Sequence, residues 1–184
     1  SYTFCAWSKL SSTGGGTQQI ISSDDGGYDW SILKNKNNQE FELFHGSGVL
    51  SSGVSTDTRW HHVCGVFDNP NDQAKLYVDG RLTGTSDLSY DSNDNKIDIG
   101  SNPCCGEHWN GKIDNALIYS KPLDHSQIKS IYNSGSWRIG TTTEEDDPDK
   151  VLDMSFQHQN SSHVLDTSGY NNHGKKKQGA HQES

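Results

Sequence analysis

The chain has 184 residues, a net charge of −9 and 29% hydrophobic residues, with a mean hydropathy of −0.87. That length allows one good core and is short for two, and the acidic balance excludes nucleic acid as a partner, because neutralising phosphates takes clustered Lys and Arg. Five Trp, seven Tyr and five Phe argue against disorder, and no apolar stretch approaches the roughly 20 residues that cross a bilayer, so no membrane insertion is expected.

The richness in Gly, Asn, Asp and Ser describes short strands joined by turns, hence an all-β chain. Residues 2–10 alternate, with Tyr2, Phe4 and Ala6 on one side and Cys5 and Trp7 on the other. Both sides are bulky, as in a strand inside a two-sheet sandwich. After a loop at 11–16, residues 18–22, 29–33 and 41–44 read as short strands separated by DDGG and KNKNN turns. WHHVCGVF at 60–67 is a strong strand, and DNPND at 68–72 is a turn cluster. In KLYVDGRLT (75–83), alternation flanks Asp79-Gly80, a pair suited to a two-residue hairpin turn with positive φ. Residues 96–100 and 112–119 are two further strands. Asp124 as N-cap with Gln127 three residues on predicts one short helix, whose face carries Ile128, Ile131 and Tyr132 and which stops at Gly135.

Beyond it, residues 136–150 carry TTTEEDDPD, an acidic linker whose charge run at 144–147 reads as solvated. The same bland reading fits Lys175, Lys176 and Lys177. The chain lacks an initiator Met and a leader-like segment, and so reads as a processed product or a piece of a longer one. An even number of cysteines and the sequon at Asn160 favour an extracellular, disulfide-forming compartment.

WHHVCGVFD, LYVDG, IDIGSN and NGKIDNALIYSKPLDHSQIKSIY follow one another across residues 2–132. Together they resemble the laminin-G-like, concanavalin A-like jelly-roll superfamily, especially its pentraxin-related branch. The resemblance implies an antiparallel two-sheet β-sandwich with one short helix, and a bond between Cys5 and Cys64. It also implies that VLDMSF, followed by DTSGYNNHG, is an opening strand displaced to the end. The expected organisation is therefore residues 1–135 as a sandwich lacking its first strand, 136–150 as linker, and 151–184 as the displaced segment. Val151, Leu152, Met154 and Phe156 would add to the edge formed by Ile113, Ala116, Leu117, Ile118 and Tyr119. They could do so on the same domain, on a neighbouring molecule, or as the start of a next domain in an array.

Several residues could carry chemistry. Glu40 and Glu42 in EFELF have the same-face spacing of a glycosidase pair, but no third carboxylate follows in the glucanase-like pattern. No GxSxG, phosphate loop or HExxH is present either, so no catalysis is expected. His61, His62 and Cys64 with Cys104, Cys105, Glu107 and His108 would suit zinc, except that adjacent His61 and His62 point to opposite faces of a strand. Calcium is the metal the resemblance allows, with Asp24, Asp25, Asp91, Asn93 and Asp94 as candidates that also serve as turn formers. Cys104 and Cys105 either bond to each other or pair elsewhere. For carbohydrate, Tyr28 with Trp30 and Trp109 with Asn110 are the candidate aromatic platforms, while Trp7 and Trp60 read as core. The reading is a structural or adhesive module that assembles with itself through its displaced strand, and the alternative is a lectin for glycans.

Overall fold

The computed structural model describes residues 1–25, 29–46, 48–88, 96–135, 147–157 and 160–177. Two antiparallel sheets face one another. The first contains β1 (Tyr2–Leu10), β6 (His61–Asp68), β7 (Gln73–Val78), β8 (Arg81–Asp87), β10 (Gly111–Tyr119) and β11 (Lys150–Met154), in the order β11-β10-β1-β6-β7-β8. The second contains β2 (Gln18–Ser22), β3 (Trp30–Lys34), β4 (Glu40–His45), β5 (Gly48–Ser55) and β9 (Asp98–Ile99), in the order β5-β4-β3-β2-β9. A small pair, β12 (His163–Val164) and β13 (Gly174–Lys175), belongs to the tail, and α1 (His125–Gly135) is the helix.

The core lies between the sheets. Phe4, Ile32, Leu43, Phe67 and Leu76 are fully buried there, with Phe4 stacked on Trp30 at 4.1 Å between ring centroids. A second apolar layer forms on the other side of the six-stranded sheet. Cys5, Cys64, Tyr77 and Leu117 meet Leu123 and Ile128 of the helix segment. Cys5 and Cys64 sit opposite each other on β1 and β6 and are joined in a disulfide. The helix is short and depends on this packing. Its start is held by a reciprocal cap: Gln127 N–H donates to Asp124 Oδ1, and Asp124 N–H donates to Gln127 Oε1, each at 2.9 Å.

The β7–β8 turn is the one the Asp-Gly pair demands, with φ of 50° at Asp79 and 72° at Gly80. Gly80 is also required by packing, since a Cβ there would lie 2.9 Å from the ring of Tyr132.

The chain's last segment folds back on its own sheet. β11 pairs antiparallel with β10, matching Ala116 with Met154, Leu117 with Asp153, Ile118 with Leu152 and Tyr119 with Lys150. Leu152 and Met154 enter the core, and Val151 and Phe156 pack against it. The edge that residues 1–135 leave open is thus covered from within the chain, although Ile113 lies beyond the paired stretch. The strand ends at Met154, and Phe156 beyond it packs against the core while its N–H donates to Asp114 Oδ1 at 3.2 Å. Asp166 braces the tail, its carboxylate accepting the N–H groups of Asp153, Ser168 and Asn172. Asp147 departs from the expected solvated run, because Lys121 bridges it and Asp149, each at 3.0 Å. Residues 136–146 of the linker lie outside the described residues.

Two local readings differ from the outcome. β5, GVLSSGVS, is a full strand that the Ser- and Gly-rich sequence did not announce. Trp60 precedes β6 and is 40% exposed, so it is not a core residue.

Candidate functional site

The outer face of the five-stranded sheet is built from two cross-strand rows. Register places Gln19, Leu33, Glu42 and Ser51 side by side on β2, β3, β4 and β5. It places Ser22, Ser31, Phe44 and Val49 in the neighbouring row. Alternation sends these side chains away from the core, because their neighbours Trp30, Ile32, Phe41 and Leu43 point into it. On β2 the pairing shifts between Gln19 and Ile21, which lets Ile20 and Ile21 both join the core while Gln19 stays on the outer face. At strand spacings of about 4.8 Å, a row across four strands spans roughly 15 Å.

This face is polar, yet much of it is buried. Gln19, Ser22, Ser31 and Glu42 are at most 4% exposed. Glu42 accepts hydrogen bonds from the amides of Asn35 and Asn38, each at 2.7 Å. Gln19 donates through Nε2 to Glu107 at 2.5 Å, and its backbone N–H donates to the Glu107 carbonyl. Gln19 Oε1 and Ser31 Oγ have no hydrogen-bond partner among the described residues. Buried polar atoms are normally paired, so these two orphans leave unused hydrogen-bonding capacity on this face. Phe44 is half-buried in the second row and Val49 is 57% exposed, adding an apolar patch beside the polar groups.

Of the aromatic platforms expected from sequence, the rings of Trp30 and Trp109 are packed inside. Trp30 is 8% exposed because it shares the inward phase of β3 and stacks on Phe4. Trp109 is 9% exposed, with its indole N–H directed at the carbonyls of Lys9 and Lys112. Asn110 is exposed, but its neighbour Trp109 offers no open ring. Tyr28 lies outside the described residues.

Of the calcium candidates, Asp91, Asn93 and Asp94 also lie outside the described residues. Asp24 Oδ2 faces the amide of Asn102 at 3.4 Å, and Asp25 is exposed. Among the described residues these two do not join a group of three metal-binding side chains.

The zinc set comes apart. Cys5, His62 and Cys64 do meet, but the two sulfurs are bonded to each other, as are those of Cys104 and Cys105. Zinc binds thiolates, and none of these cysteines retains one. His61 and His62 do diverge. His61 is held between Asp79 (2.8 Å, Nδ1) and Asp57 (3.1 Å, Nε2). The hydrogen bond to Asp79 leads in raising its pKa above 6.5. His62 faces the helix side beside Trp7 and Tyr132, and burial lowers its pKa to about 4.

Glu40 and Glu42 are both engaged in structural hydrogen bonds. Glu40 accepts from Ser51 Oγ and from the N–H of Gly53, and Glu42 from the two asparagines. Asn160 is exposed, its Oδ1 accepting the N–H groups of Ser162 and His163.

Two packed antiparallel sheets with one helix define a jelly-roll sandwich. The chain belongs to the Concanavalin A-like lectin/glucanases superfamily, whose laminin G-like family model matches residues 1–129. No curated protein matches it in sequence. Among solved structures, a Bacteroides ovatus protein proposed to bind carbohydrate is similar at 18% identity and a TM-score of 0.71, covering 94% of this chain. This chain spans about half of that protein, 51% of its length. The CBM40 module of a Ruminococcus gnavus IT-sialidase is similar at 16% identity and a TM-score of 0.56, covering 71% of this chain and 82% of the module. A heptameric SAP-like pentraxin from Limulus polyphemus is similar at 17% identity and a TM-score of 0.54, covering 71% of this chain and 69% of the pentraxin. At these identities the likeness shows the fold. Among the described residues, no helix is long and apolar enough to cross a membrane.

Proposed function

We propose that this chain is a non-catalytic, extracellular carbohydrate-binding module that takes a glycan across the outer face of its five-stranded sheet. The observation that carries the reading is the pair of unsatisfied buried atoms, Gln19 Oε1 and Ser31 Oγ, in adjacent rows of that face. Once the groups that bury them move aside, both can accept hydrogen bonds from sugar hydroxyls, Ser31 can also donate one, and half-buried Phe44 supplies an apolar surface for sugar C–H groups. The fold neighbours support it, since the sialidase module has been solved bound to alpha2,3 and alpha2,6 sialyllactose. Binding is favoured over hydrolysis because Glu40 and Glu42 are committed to Ser51, Gly53, Asn35 and Asn38 rather than free for proton transfer. The disulfides and the exposed Asn160 sequon support an oxidising compartment and N-glycosylation. The test is a glycan array with the full chain, followed by titration calorimetry of any hit with Gln19→Ala and Ser31→Ala, with and without a calcium chelator. Loss of binding in both variants supports the reading; a hit whose affinity neither variant changes places the site elsewhere and sinks it. Chelator sensitivity would bring in calcium.

A second reading concerns self-assembly. β11 is an edge strand joined to α1 through residues 136–149, and the same β10–β11 pairing made between two copies would lose no contact. Such strand exchange would give dimers or open chains. Sedimentation across a wide concentration range is the measurement, and a monomer throughout would exclude it.

A further inference from the structure

The four cysteines form two disulfides in opposite surroundings. Cys5 and Cys64 are completely buried beneath the helix. Cys104 and Cys105 are both exposed. They sit in the loop between β9 and β10, and that loop is fastened at both ends to the edge of the sheet face. Before the pair, Ser101 Oγ donates to Asp98 at 3.0 Å, and Asn102 Oδ1 accepts the N–H of Cys104 at 3.1 Å. After the pair, Glu107 is bound to Gln19 through both its backbone and its carboxylate. The disulfide therefore closes a small ring in the short span between the two fastenings, and no other part of the chain is tied to it covalently.

We propose that Cys104–Cys105 is a thiol–disulfide exchange site, addressed by dithiol reductants while Cys5–Cys64 is not. A thiolate of the reductant attacks one exposed sulfur and forms a mixed disulfide. The other cysteine leaves as a thiolate, and the reductant's second thiolate then attacks its own sulfur in the mixed disulfide, so that the attacked cysteine leaves as a thiolate as well. Two electrons and two protons pass to the cysteine pair, and the dithiol is oxidised to its own disulfide. Access governs the rate of such attack, and sulfurs beneath a packed helix react only when the region opens. Opening the ring frees residues 103–106 between their fastenings and loosens the loop that holds Glu107 against Gln19.

The test is brief exposure of the full chain to limiting dithiothreitol, then iodoacetamide and peptide mass spectrometry. The expected result is alkylation of Cys104 and Cys105 on the order of a hundredfold faster than of Cys5 and Cys64. Equal rates, or Cys5 and Cys64 reacting first, would overturn the proposal. In parallel, hydrogen exchange should rise in residues 101–107 of the reduced chain and of the Cys104→Ser/Cys105→Ser variant, while the β1 and β6 amides keep their protection. Unchanged exchange in that loop would overturn its coupling to the ring. Neither readout needs a sugar, so a failure of glycan binding leaves this result distinct.

Discussion

Ala116 of β10 is paired with Met154 of β11, which joins the final segment of the chain to a strand that already pairs with β1. The closing strand is therefore part of the core rather than an appendage, since Leu152 and Met154 are 7% and 4% exposed. Leu152→Ala or Met154→Ala should cost about 2–5 kcal/mol. For a chain of this size each kcal/mol lowers the melting temperature by about 2–4 °C. Calorimetric melting of the full chain checks this, and a wild-type melt for both variants would show β11 to be dispensable.

The adjacent histidines should give stability a maximum near pH 6.5, because their shifts have opposite signs. His62 is depressed to about 4 by burial, so the unfolded chain binds more protons between pH 4 and 6.5 and stability falls as pH drops through that window. The loss approaches about 3 kcal/mol. His61 is raised above 6.5 by Asp79 first, so its contribution is full below 6.5 and is lost as pH rises through the folded value. Urea unfolding across pH is the measurement. His62→Phe should erase the limb His62 sets between pH 4 and 6.5, and Asp79→Asn should shrink the alkaline one to the part Asp57 holds, while Asn-Gly preserves the turn.

Gly80→Ala should destabilise by about 1–3 kcal/mol, for two reasons that add. Its φ of 72° suits glycine, and the added Cβ would press on Tyr132. Denaturant midpoints read the effect, and a change within error would mean that turn and helix adjust freely.

Phe44→Ala should weaken binding of any glycan held on the sheet face by about tenfold, or ~1.4 kcal/mol. Phe44 lies outside both core clusters, so the variant should fold normally. Titration calorimetry beside a circular dichroism melt separates the two effects.

Features set by neighbours in sequence were legible. Asp79-Gly80 and the Asp124–Gln127 cap behave as their residue types require, because each completes its hydrogen bonds within a few residues. The Cys5–Cys64 bond was legible through family resemblance. The site was not. Trp30 looked like an exposed platform, but it shares the phase of Ile32 and is drawn into the core. Phe44 went unremarked as a contact, and Gln19 gained its outward place only through the shift in pairing on β2.

The sequence alone thus determined an all-β chain with one capped helix, a tight hairpin and a strand left over at the end. The first three follow from alternation, turn chemistry and capping, which act over a handful of residues, and the leftover strand follows from the family resemblance. Only the tertiary structure decided that the leftover strand returns to its own sheet and that Gln19, Leu33, Glu42 and Ser51 stand in one row. Such neighbours come from strands far apart in the chain, and their meeting is set by sheet register, which no short stretch of sequence encodes.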